Sequence, residues 1–283
     1  MDEYEQILKD RKPYFKAGMK FASEECFQRA SFIASLLNDD YKIDSFLRTT
    51  TEQAMEGALE YLTLFNDNDL LTRLLEITKG VPIYYSSNPV DYSTGIIWSD
   101  IKKDKCLTNK TGRISEFTFS EISTDMSRVF IGHEMIHAFK DTFGREIIDH
   151  YITGEVLPMF FELAILEKED PLFAKKHHSY RLAMLKEDKQ YLDLLITAKY
   201  SKKVYQIAVS EACEYLNAFY FSLLLYNVYK MNPDLVINEV LSVLYQEKTT
   251  WDILGYLGIL TNNHEKTIVK EEFKAIRKLA LQK

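Results

Sequence analysis

The spacing of apolar positions predicts a chain built mainly from helices. Up to about residue 79 they recur at three- and four-residue intervals, as in Ile43, Phe46, Leu47, Ala54, Ala58, Tyr61, Leu62 and Phe65, which gathers them on one helical face. Gly80 and Val81-Pro82 end that run. The next stretch, of about fifty residues, has another grain: VPIYYSS, TGIIWSD and RISEFTFSEI are short, β-branched or aromatic, and separated by turn-forming residues. Phe117 and Phe119 alternate with Glu116, Thr118 and Ser120, so this stretch predicts a small sheet with one wet face. Helical spacing then resumes. Ser123-Thr124-Asp125 offers an N-cap region for a helix through DMSRVFIGHEMIHAFKD. Further helices are expected from near Glu155, over about His177 to Leu195, from about Lys203 to Lys230, over DLVINEVLSVLYQ, over TTWDILGYLGI, and in the basic C-terminal stretch. The change of grain near residue 80 divides an N-terminal helical subdomain, 1–80, from residues 81–283, as two units or as one continuous fold.

Composition supports this reading. Only 10 Gly and 6 Pro occur in 283 residues, about half the usual share, so turns are few and elements long. That disfavours a sandwich, barrel or propeller, and 46% apolar content supplies a sizeable core. The net charge of −7, with scattered lysines, argues against nucleic acid as a partner, because phosphate contacts need a basic face. Three distant cysteines, Cys26, Cys106 and Cys213, make no disulfide framework and fit a reducing compartment. The N-terminal MDEYEQILKDRK is charged where a signal peptide needs an apolar stretch. The apolar segment from Tyr215 to Tyr229 is interrupted by Asn217 and Asn227 and falls short of the roughly 20 residues that span a bilayer. The expectation is a soluble, cytoplasmic protein with no membrane partner.

One motif carries chemistry. His133-Glu134-Met135-Ile136-His137 is His-Glu-x-x-His within a predicted helix. Residues four apart lie one turn above each other, so both imidazoles can address one metal ion. Glu134 is rotated away from them, where it reaches a metal-bound water without ligating the metal. Zinc acidifies that water to a pKa of about 7, and the carboxylate takes its proton as it attacks a carbonyl. The competing reading is a satisfied histidine pair on an amphipathic helix. Gly132, costly inside a helix by about 1 kcal/mol, is expected to accommodate a close-packed neighbouring backbone.

A catalytic zinc takes three protein ligands and keeps a fourth position open. His150 lacks the short spacing of a third histidine ligand. Glu155 follows His137 after 17 intervening residues, at the start of a helix, and Glu162 lies seven residues farther, two turns away on the same face. Glu155 is assigned as ligand and Glu162 as its supporting or substrate-facing carboxylate, with the reverse as the alternative. Glu162 sits within PMFFELAIL, too apolar a stretch for a solubilising charge, and a buried carboxylate needs a partner.

From about Cys106 onward, RISEFTFSEISTDMSRVFIGHEMIHAF and EVLPMFFE resemble the thimet oligopeptidase and oligoendopeptidase F family of zinc metallopeptidases, which are gluzincins. The later run YLNAFYFSLLLYNVYKMNPDLVINEVLSVLYQEKTTWDILGYLGI looks like that family's closing helices. The resemblance implies a zincin-like metallopeptidase fold, with the small sheet beside the active-site helix, and a deep cleft that hydrolyses short peptides. It also implies a tyrosine that donates to the tetrahedral oxyanion, at Tyr215, with Tyr205 and Tyr220 as lesser candidates. This chain departs from the family in several ways. Ile136 stands where the family has Gly, Gln206 stands for an upstream histidine, and the link from His137 to Glu155 is shorter. Family members are also longer chains, so the cleft here would be more open or be closed by a second subunit of a homo-oligomer.

The sequence therefore predicts a Zn2+-dependent peptidase in which His133, His137 and Glu155 bind the metal, Glu134 is the general base and Tyr215 stabilises the oxyanion. Its rivals are a catalytically inactive metal-binding helical interaction protein, a dedicated protease acting on one specific protein, and a helical scaffold without metal.

Overall fold

The computed structural model describes residues 24–43, 47–67, 69, 72, 83–86, 95–96, 117–120, 123–141, 154–197, 202–245 and 247–282. These are mainly helical. The helices are α1 (Glu24–Leu36), α2 (Thr51–Tyr61), α3 (Ser127–Asp141), α4 (Val156–Leu166), α5 (Pro171–Thr197), α6 (Lys202–Met231), α7 (Pro233–Leu244), α8 (Thr250–Tyr256) and α9 (Glu265–Ala280). The short strands are β1 (Arg48–Thr49), β2 (Ile83–Ser86), β3 (Gly95–Ile96), β4 (Phe117–Ser120) and β5 (Ser123–Thr124).

The core is organised around α6, which packs against α1, α4, α5, α7 and α9. From Leu216 to Leu225 every side chain of α6 is buried. A helix that is apolar all round belongs inside a domain, and Ser222 fits there because its hydroxyl donates to the carbonyls of Val156 and Ala218, both at 2.8 Å. The α4 helix is buried along its whole length, Val156 to Leu166. It lies between α6 and α3, and α2 also packs against α3.

Three sequence expectations need correcting. Ile43 and Leu47 do not extend a helix: both are exposed, Arg48–Thr49 is a strand, and α2 begins only at Thr51. A capping box sets that start, with the Thr50 hydroxyl accepting from the Gln53 amide at 3.2 Å and the Gln53 side chain accepting from the Thr50 amide at 3.2 Å. Ser123-Thr124-Asp125 is likewise not the cap of α3. Ser123 and Thr124 pair antiparallel with Thr49 and Arg48. Asp125 links the same strands, its amide donating to the Leu47 carbonyl at 2.9 Å and its carboxylate accepting from the Leu47 amide at 3.1 Å. The α3 helix therefore begins at Ser127. In addition, α5 begins at Pro171, a turn and a half before the expected His177. The remaining strands form one set, with β2 parallel and β3 antiparallel to β4, and β3 lies against α3.

Candidate metal centre

The α3 and α4 helices cross where Gly132 meets Phe161. A β-carbon at Gly132 would stand 2.8 Å from Phe161 Cε1. The close neighbour expected at Gly132 is thus an aromatic ring and not a backbone. Phe161 is itself held by a stacked Phe65, at 5.9 Å between centroids, and an edge-on Tyr61 at 6.5 Å. This crossing brings the next residue on each helix, His133 and Glu162, into register.

His133 is buried and touches two carboxylates. Its Nδ1 lies 2.6 Å from Glu162 Oε1 and its Nε2 lies 3.0 Å from Glu155 Oε2. Glu155 stands at the N-cap position of α4 without a side-chain capping bond, and Glu162 sits two turns in, as their spacing predicts. Arg181, from α5, grips Glu162 at both oxygens, donating from Nε to Oε2 at 3.0 Å and from Nη2 to Oε1. His177, one turn before Arg181, has its Nε2 3.4 Å from Glu162 Oε2. His133, Glu155, Glu162, His177 and Arg181 are all less than one-tenth exposed.

Electrostatics follow from that burial. Burial is the largest influence on Glu162 and favours its neutral form, but Arg181 and His133 together outweigh it and hold the carboxyl below its usual range. Burial likewise opposes charge on His133, yet hydrogen bonds to Glu155 and Glu162 raise its pKa well above the ordinary imidazole value. Burial dominates at His177, lowering it to about 3. The positive charge on His133 and Arg181 thus balances the negative charge of Glu155 and Glu162.

Tyr215, on α6, is 37% exposed. The Glu155 charge contributes most to raising its pKa, followed by burial and the charges of Glu214 and Glu134, while Arg181 opposes them. The phenol is thus held protonated in the field of Glu134, Glu155 and Arg181. Glu134 itself is partly buried on α3. Tyr220 is fully buried against Phe32 and Phe221, away from this field. The side chains of His137, Tyr205 and Gln206, and all of His150, lie outside the described residues, although α3 continues through position 137, one turn beyond His133.

The donor set can be tested against zinc. Two ligands each about 2.0–2.2 Å from a tetrahedral zinc lie roughly 3.3–3.6 Å from each other, somewhat more than the 3.0 Å hydrogen-bonding separation of His133 Nε2 and Glu155 Oε2. A histidine ligand ordinarily donates its other ring N–H to a carboxylate, which is the position Glu162 takes at Nδ1. Imidazole and carboxylate are zinc donors, and the residues present fit the group. Among the described residues, which do not include the His137 ring, no three His, Cys, Asp or Glu side chains come together to hold a metal ion. Sequence reasoning missed Arg181 and His177. Their only signal is their four-residue spacing in KKHHSYR, which reads equally well as a solvated basic face.

Comparisons with protein-family models, with curated proteins and with solved structures yield no match.

Proposed function

We propose that this chain is a zinc-dependent peptidase whose metal is held by His133, His137 and Glu155. The observation that carries the reading is the two-sided embrace of His133, with Glu155 at Nε2 and Glu162 at Nδ1. An imidazole flanked in this way has one nitrogen oriented by a carboxylate and the other directed at a second donor, which suits a ligand better than a packing residue. When bound, zinc would supply Lewis acidity and an acidified water.

The chain's own residues then divide the work. Glu155 and the histidines bind. Glu134, beside His133 but one residue round the helix, takes a proton from the attacking water and returns it to the leaving amine. Tyr215, whose phenol keeps its proton in the field of Glu155, donates a hydrogen bond to the developing oxyanion, an interaction stronger in the transition state than in the ground state. The zincin-like fold, with strands beside the active-site helix, belongs to the same proposal. The contact of β3 with α3 supports it. A cytoplasmic setting is part of the same proposal, with Cys26 and Cys213 both buried. No helix among the described residues is long and apolar enough to cross a membrane. The substrate proposed is a peptide, and not nucleic acid.

A second reading has its own observation. The His133, Glu155, Glu162 and Arg181 cluster is internally hydrogen-bonded, so it can serve as a structural ion network in an inactive interaction protein. Hydrolysis of a quenched-peptide library, abolished by chelator and restored by zinc, separates the two. Glu134→Gln is expected to keep the metal and to lower turnover by about 10²–10⁴-fold. Turnover at the parental rate by that variant removes Glu134 from the mechanism. Cleavage of a single protein in an extract, with no action on the library, would mark a dedicated protease.

A further inference from the structure

We propose that Arg181 is a positioning residue for the metal ligand His133 and acts on it through Glu162. This rests on the zinc reading of the site. The three residues come from three helices, His133 from α3, Glu162 from α4 and Arg181 from α5, and their contacts form a single chain. Arg181 holds both oxygens of Glu162, and one of those, Oε1, also meets His133 Nδ1 at 2.6 Å. The guanidinium fork fixes the plane of the carboxylate as well as its distance, which a point charge such as lysine does not do.

Two consequences follow. A carboxylate pinned at both oxygens stays an acceptor in a fixed orientation, so His133 keeps its proton on Nδ1 and would present a deprotonated Nε2 to a bound metal on the side of Glu155. The anchor is also tied to the helix it orients, because the Arg181 guanidinium lies over the Phe130 ring, 5.8 Å from its centroid, and Phe130 precedes His133 by three residues on α3. Burial of the whole relay keeps water from replacing any link; Glu162 is 2% and Arg181 7% exposed.

The test is zinc affinity, measured by competition with a chromophoric chelator on the full chain, for the parent, Arg181→Met, Arg181→Lys, Glu162→Gln and the Glu162→Gln/Arg181→Met double variant. Thermal melts of the zinc-free forms establish that each is folded. Arg181→Met is expected to weaken zinc binding by about 10–100-fold, the usual cost of losing an outer support of a ligand. Arg181→Lys should recover part of that loss. In the Glu162→Gln background Arg181→Met should cost nothing more, because the link it acts through is already cut. Parental affinity in Arg181→Met overturns the proposal, and so does an undiminished penalty in the Glu162→Gln background. Should Arg181→Met fail to fold, Arg181→Lys decides: a several-fold loss supports the two-point grip and parental affinity overturns it. A parent chain that takes up no zinc refutes the zinc reading itself, and that result is visible before any variant is compared.

Discussion

Gly132 shows how a single atom sets the site. An alanine there gains about 1 kcal/mol of helix propensity, but its methyl would lie 2.8 Å from the Phe161 ring. Overpacking of that kind costs about 1–3 kcal/mol, and Phe161 is confined by Phe65 and Tyr61. Gly132→Ala is therefore expected to destabilise the fold by up to about 2 kcal/mol in urea unfolding, with Phe161→Leu restoring part of the loss. Equal stability of parent and variant would mean that the crossing is looser than described. His178 makes a second residue-scale prediction. Burial depresses its pKa to about 4 from 6.5, so between those values the unfolded chain binds a proton that the folded chain does not, and stability falls as the pH drops through that window. His177 acts in the same direction. Asp188, raised to about 6 chiefly by burial, acts in the opposite sense, so the readout is a difference. In chelator-treated protein the stability advantage of the parent over His178→Asn should shrink by about 3 kcal/mol between pH 7 and pH 4. A difference that stays constant across that range contradicts the account. The motif residues were legible because their chemistry depends on spacing within one helix. Arg181 was not, because its partner Glu162 lies on another helix and nothing in KKHHSYR indicates which face is buried.

At the scale of elements, periodicity located the helices and capping chemistry fixed their ends. The run from Ile43 to Phe65 carries one continuous apolar pattern, yet among its described residues the helix begins only at Thr51, where the Thr50 to Gln53 box starts it. Periodicity cannot see where a backbone begins to close its own hydrogen bonds. The Ser123 to Asp125 segment has the right residues for a cap but spends them on pairing with Arg48 and Thr49, a long-range contact that local sequence does not reveal. Where a box is intact its worth can be measured. Thr249 accepts from the Asp252 amide at 3.2 Å, and Asp252 accepts from the Thr249 amide at 2.8 Å. Thr249→Ala should lower stability by about 1 kcal/mol in thermal or urea unfolding. A change near zero would assign the start of α8 to packing of Ile253 and Leu254, both fully buried.

For the molecule as a whole, α6 and α4 were legible as apolar stretches, but their burial on all sides follows from five helices converging on α6, a property of the assembled domain. Buried residues of α1 and α2 share one core with α3 to α9, so the described part of the first 80 residues packs with the helices that carry the site. The centre unites α3, α4, α5 and α6 around Glu155 and Glu162. The most direct measurement is metal content per chain, by elemental analysis after purification without chelator, for the parent beside His133→Ala, His137→Ala and Glu155→Ala. The account predicts one zinc per parent chain and little in each variant. A parent without metal, or a Glu155→Ala variant that retains it in full, would contradict the central claim.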